Sequence, residues 1–178
     1  MPLNINVLKE FIIIIMGPLF QNIAYVLLIL FFKEKELILR YHLGILIFNL
    51  LPIYPLDGGK LLKLLFNNII PYKLSYKVVI VISYFMAILI LFSNNKLSIN
   101  MIITYILLIF LIRREEIKTD FIYNKFLLER YLNSYSYRKR KIIKSINSFY
   151  RTRNNVVKKN NILYDEHDIL RKKYKNFY

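Results

Sequence analysis

The sequence predicts an all-α membrane protein: about four transmembrane helices, one broken at a Pro/Asp-Gly-Gly motif, followed by a basic, partly helical cytoplasmic tail. Three observations lead there. The chain of 178 residues is 56% hydrophobic yet carries a net charge of +16, so apolar and basic residues must occupy different stretches. They do: residues 1–112 hold nine Lys and Arg against four carboxylates, and residues 113–178 hold eighteen against seven. An apolar core at 1–112 with a basic juxtamembrane tail at 113–178 is the layout of an integral membrane protein. Finally, a lone carboxylate, Asp57, follows two prolines in an otherwise apolar run and precedes two glycines.

The first apolar stretch, residues 11–32, is about 22 residues and long enough to span. Residues 1–10 lack a basic leader and no small-residue cleavage pattern follows, so this run is expected to stay as an uncleaved anchor. The second stretch runs from 37 to 51, breaks over 52–59 and resumes to 66. The third, 74–92, contains only Lys77 as a charge. The fourth, 97–112, is about 16 residues, short enough to predict little tilt or extension by its flanks. Soluble helices keep a polar face, and these runs keep almost none. No cysteine is present, which excludes disulfides and thiolate metal sites.

Lys and Arg in short loops set the orientation. Lys60, Lys63, Lys73 and Lys77 flank the connection between stretches two and three, and the tail opens with Arg113 and Arg114. Both fall on one side if stretches three and four form a hairpin through 93–96. The other side holds Lys33, Lys35 and Arg40, offset by Glu34 and Glu36, together with Lys96. The more basic side is therefore expected to be cytoplasmic, with Asp57 toward that end of its segment. In the tail, residues 121–132 carry Phe121, Phe126, Leu127, Leu128 and Tyr131 in an amphipathic helical pattern. Residues 137–153 form a basic run, and the polar stretch after Val156 is expected to be loosely ordered. Anionic lipids attract such a tail by about 1 kcal/mol per nearby Lys or Arg. Charge with interleaved tyrosine also suits RNA. The juxtamembrane position favours membrane lipids as the partner, with no nucleic acid expected.

A charge at membrane depth costs about 2.5–3.5 kcal/mol and faces a cavity or a partner. Irregular backbone there is tolerated only where protein or water satisfies it. Asp57 thus reads as a site residue wanting a cation, either a metal or a basic group. Asn49 offers an amide nearby, Pro52 opens the break, and Gly58 and Gly59 permit close backbone approach. A carboxylate can complete a tetrahedral zinc site beside two histidines and a water. Equally, an aspartate here can cap the helix that starts near Gly58. In the first stretch Gly17, Pro18, Gln21 and Asn22 place a kink and two amides at mid-depth, which also serves helix packing alone.

Residues 45–62, with Asn49 and the Pro-Leu-Asp-Gly-Gly run, resemble the Asn-Pro-Asp-Gly motif of the site-2 protease family, M50 intramembrane zinc metalloproteases. Within that family they are most similar to the stage IV sporulation protein FB group of spore-forming bacteria. Residues 17–22 are similar to the family's Gly-Pro-x-x-Asn segment, and the likeness covers roughly residues 2–135. It implies that Asp57 is a Zn2+ ligand, and that Asn49 positions substrate or polarises the scissile carbonyl. Pro52, Gly58, Gly59, Gly17, Pro18 and Asn22 are the supporting residues. It further implies cleavage of a transmembrane protein substrate in a bacterial cytoplasmic or forespore membrane, in regulated proteolysis tied to sporulation.

One departure is large. The family's zinc-binding histidines and catalytic glutamate lie in a His-Glu-x-x-His helix, whose i and i+4 histidines share a face. This chain has only His42 and His167, and neither sits in such a motif. The expectation is a C-terminal part of a protease, inactive alone, with a separate N-terminal fragment carrying His-Glu-x-x-His as its partner. The alternative is a non-catalytic scaffold or pseudoprotease remnant. His42 shares a helix face with Asn49, two turns away, but one histidine and one aspartate do not make a catalytic zinc site. The run Asp165-Glu166-His167-Asp168 is expected to be a solvated charge cluster. A transporter is disfavoured, because no paired broken helices recur in two halves.

Overall fold

The computed structural model describes residues 6–93, 98–133, 135–159 and 162–175. The order is α1 (Val7–Phe31), α2 (Lys35–Leu50), α3 (Asp57–Ile69), α4 (Tyr72–Ser93), α5 (Ile99–Asn133), β1 (Arg140–Ile143), a 3-10 turn (Ile146–Ser148), β2 (Asn154–Lys159), β3 (Ile162–Asp165) and α6 (Glu166–Lys175). The protein is mostly helical, as expected, but it is not all-α. The expected hairpin turn at 93–96, with Lys96, lies outside the described residues apart from the backbone of Ser93.

The chain divides into two compact units, one of Asn6–Leu64 with Val79–Glu115, the other of Leu65–Val78 with the described residues from Glu116 onward. In the first, Asn6 caps α1 by accepting from the Leu8 N–H at 3.2 Å. α1 then runs through Pro18 with Ile14 its sole buried residue. So much exposed apolar side chain is untenable in water and suits lipid. Among the described residues two helices are long and apolar enough to cross a membrane, Val7–Phe31 and Tyr72–Phe92. The 16 residues of α2 reach about 24 Å at 1.5 Å each, short of the roughly 30 Å hydrocarbon core. α1 and α2 pack together: Gln21 Nε2 donates to the His42 carbonyl at 3.1 Å, and the Tyr25 and His42 rings stack at 4.3 Å.

α5 continues without a break through residues 112 and 113, so the amphipathic 121–132 stretch is its last third. Tyr123, Phe126 and Leu127 are buried there, whereas Phe121 and Leu132 are about 70% exposed. With Tyr72, Ile143, Phe149, Val157 and Leu170 these three form the core of the second unit. Tyr72 stacks on Phe126 at 4.3 Å, and its backbone N–H donates to the Phe149 carbonyl at 2.9 Å. The Tyr123 hydroxyl donates to the Ile146 carbonyl, and burial pushes its pKa well above the ordinary 10.0.

Two expectations fail in this unit. The stretch after Val156 is not loosely ordered: it completes β2 and forms β3 and α6. The sheet runs β1-β2-β3, with β1 parallel to β2 and β2 antiparallel to β3. Its strands of four to six residues carry Lys, Arg and Asn, so neither length nor alternation announces them. Nor is residue 166 part of a solvated run. Glu166 ion-pairs with Arg130, whose side chain is 1% exposed. Arg130 also donates to the carbonyls of Arg151 and Arg153, both at 2.9 Å, while the Asn155 N–H donates to Glu166 at 3.1 Å. The asparagines serve the strands as well: the Asn154 amide exchanges two 2.8 Å bonds with the Tyr137 backbone. Residues that look like turn formers thus hold the sheet edge in place.

Removing one partner of a buried pair leaves the other charge unpaired, at a cost of about 3–5 kcal/mol. Arg130→Ala is therefore expected to unfold the second unit at a much lower denaturant concentration, read by hydrogen exchange in β2 on the full chain. The exposed control Arg171→Ala should change stability by less than about 0.5 kcal/mol. A tyrosine with a raised folded pKa keeps its contribution below its unfolded pKa and loses it as pH rises. The same unit should therefore lose stability as pH rises above about 10, and Tyr123→Phe should flatten that slope in a pH series of unfolding midpoints.

Candidate metal-ligand site

α2 cannot continue past Leu51, because Pro52 and Pro55 remove backbone donors and bias the residues before them toward extended conformations. The Tyr54–Pro55 peptide is cis. The chain turns sharply: Leu56 N–H donates to the Ile53 carbonyl at 2.8 Å, and the Leu56 carbonyl accepts from Lys60 N–H at 3.0 Å, opening α3. This return path forces the two glycines. A Cβ on Gly58 would overlap the Leu50 and Leu51 carbonyl oxygens, and one on Gly59 would overlap the Ile53 carbonyl and the Tyr54 nitrogen. Neither glycine has a positive φ, so close approach rather than backbone freedom requires them.

The freed backbone finds a partner in α4. The Tyr54 N–H donates to the Ser83 hydroxyl at 2.8 Å, and that hydroxyl donates to the Val79 carbonyl at 2.7 Å. Ser83 is fully buried. Lys63 lies over the Tyr54 ring, 5.2 Å from its centre. Ser83 escaped the sequence reading; its one signal is a hydroxyl inside an apolar run.

Asp57 is the first residue of α3, where a negative charge also complements the helix dipole. Its side chain is 22% exposed, and its Oδ1 pairs with Lys60 Nζ at 2.8 Å. The other oxygen faces α1: a Cβ built on Gly17 would stand 3.0 Å from Oδ2. Gly17 thus gives the carboxylate room that alanine would take. Of the predicted residues, the structure brings Gly17, Asp57, Gly58 and Gly59 into one constellation and adds Lys60. Pro18 and Asn22 bond to each other within α1, Asn22 Nδ2 to the Pro18 carbonyl at 2.9 Å, and Asn22 is exposed. Asn49 is half-buried in the last turn of α2, and Pro52 is half-buried in the break.

A zinc ion does not fit the ligands this chain assembles. Among the described residues no three His, Cys, Asp or Glu side chains come together to hold a metal. His42 is stacked on Tyr25, and His167 lies against Tyr131 at 5.4 Å in the other unit. Asp57 supplies one carboxylate, already neutralised by Lys60, and a catalytic zinc site needs three protein ligands.

Residues 36–93, from the start of α2 through the break to the end of α4, match the model of Peptidase family M50. The chain is also 36% identical over 133 residues to the stage IV sporulation protein FB of Bacillus subtilis (strain 168), which covers 69% of this chain. It spans 46% of that relative's length, so about half of the curated protein has no counterpart in the match.

Overlap with backbone cannot be relieved by a rotamer change. Gly58→Ala should therefore lower the thermal midpoint of the purified chain in detergent by many degrees. Gly44→Ala, where nothing lies within 4 Å, should be neutral or stabilising by up to about 1 kcal/mol.

Proposed function

Given that this chain belongs to peptidase family M50, the site-2 proteases, we propose that it supplies the aspartate-bearing part of an intramembrane metalloprotease. The observation that carries the reading is the Asp57 carboxylate, held at the opening of α3 by the glycine turn and turned toward Gly17. The family's enzymes are zinc metalloproteases, and Asp57 is the residue we assign as this chain's zinc ligand. With no histidine pair of the required spacing in the sequence, the remaining ligands come from a His-Glu-x-x-His element beyond these 178 residues. In the assembled site Asn49 positions the substrate peptide, while Pro52, Gly58 and Gly59 shape the break. Gly17, Pro18 and Asn22 form the facing wall.

The substrate class is a transmembrane protein cut within its membrane segment, in regulated proteolysis associated with sporulation. Residues 1–112 form the membrane core with four spans, and 113–178 the juxtamembrane part on the cytoplasmic side of a bacterial cytoplasmic or forespore membrane. A second reading, a non-catalytic scaffold, draws on one specific feature. The carboxylate already has an internal counter-ion in Lys60, 2.8 Å away, and does not require a metal to be stable.

Co-reconstitution with a separately supplied His-Glu-x-x-His membrane segment separates the two. Cleavage of a single-span substrate that requires both pieces, and that Asp57→Asn abolishes while the variant keeps its thermal midpoint, is the expected result. Unchanged turnover in that variant would remove Asp57 from the ligand set. Stable capture of substrate without any cleavage would favour the scaffold.

A further inference from the structure

The thirty residues 135–164 contain nine Lys and Arg and not one carboxylate. Folding sorts these cations. Arg151 is buried and Arg153 half-buried, whereas residues 138–141, Lys144, Lys158 and Lys159 are exposed. β1 is an edge strand, and three of its four residues face solvent. The register divides the exposed cations: Arg140 and Lys141 stand beside Asn154 and Asn155 where β2 begins, and Lys158 and Lys159 lie where β2 ends. At that second end Lys158 and Lys159 stand opposite Leu163 and Ile162, and Lys144 directly follows Ile143, which lies beside Val157. Ile162 and Leu163 are each 56% exposed, and Ile142 on β1 is 60% exposed.

Three carboxylates of the same unit lie away from this sheet end. Glu166 holds Arg130, Asp120 pairs with Lys73 at 2.7 Å, and Asp165 stands opposite Val156, away from this end of β3. The positive sheet end therefore carries its charge outward. Exposed aliphatic side chains set among lysines suit the interfacial zone of a bilayer, where apolar groups enter the acyl boundary and ammonium groups meet phosphate.

We propose that this end of the three-stranded sheet, with Lys144, Lys158, Lys159, Ile162 and Leu163 at its tip and Ile142 beside them, docks on the anionic lipid headgroups of the bilayer. The tyrosines favour lipid over a single-stranded nucleic acid. Tyr137, Tyr150 and Tyr164 already have Arg130, Arg153 and Lys172 over one face of each ring, 4.9, 5.0 and 5.0 Å from the centres, which leaves less open surface for bases to stack on. Two helices among the described residues are long and apolar enough to cross a membrane, so the sheet is tethered by its own chain and needs little affinity of its own. The proposal does not depend on the protease reading.

The full chain has no cysteine, so Leu163→Cys with an environment-sensitive fluorophore gives a single reporter at the tip. In nanodiscs of phosphatidylcholine with phosphatidylserine, the fluorophore should shift to the blue and be quenched several-fold more by brominated lipid than in phosphatidylcholine alone. The exposed triple variant Lys144→Gln, Lys158→Gln, Lys159→Gln should lose that difference, as should high salt. Equal quenching in both lipids, or an unchanged signal in the triple variant, would overturn the proposal. Release by millimolar inorganic phosphate at constant ionic strength would instead reveal a free-phosphate site. A blue shift on adding homopolymeric RNA to phosphatidylcholine discs would replace the membrane with RNA.

Discussion

A helix interrupted in apolar surroundings must satisfy its freed backbone groups from within the protein, because no water is at hand to do so. The break between α2 and α3 is built around that demand. The Tyr54 N–H is taken by Ser83, the Ile53 and Leu56 carbonyls are taken by the turn and by α3, and the chain doubles back over its own next helix. Only glycine at 58 and 59 lets that path close. The carboxylate then has a fixed place because the backbone that carries it has no alternative route.

This arrangement also explains how a lone charge persists at that position. Asp57 gains from two sources at once, the dipole of the helix it opens and the Lys60 ammonium one turn on, while Gly17 leaves room for its second oxygen. The lysine and the metal reading are not in conflict. An ammonium on a flexible four-carbon stem is a displaceable counter-ion, while the turn that aims the carboxylate is rigid.

The second unit solves a different problem. Ten Lys and Arg between Glu129 and Asp165, with no carboxylate among them, repel one another and would leave a short chain extended. Two devices overcome this. An aromatic and aliphatic core drawn from α4, α5, the sheet and α6 provides burial, and the buried Arg130 guanidinium draws three backbone carbonyls and Glu166 together. The remaining charge is expelled to the surface, where it becomes available for a partner.

Much of the first unit was legible in the sequence. Long apolar runs predict helices by length alone, and prolines, glycines and a solitary aspartate mark a break whose chemistry is local. The pairing of Asp57 with Lys60 follows from i, i+3 spacing, and the motif around them is contiguous. Ser83, the facing of Gly17 to Asp57, and the sheet with its buried Arg130–Glu166 pair were not legible. Each joins residues between 29 and 40 positions apart through a contact that no periodicity encodes. The sequence by itself determined where the chain must break and which residue is left charged there, because sterics and desolvation act on neighbours. Only the tertiary structure decided what satisfies that break, and that the basic tail folds, because hydrogen-bond partners and counter-ions are chosen by proximity in space.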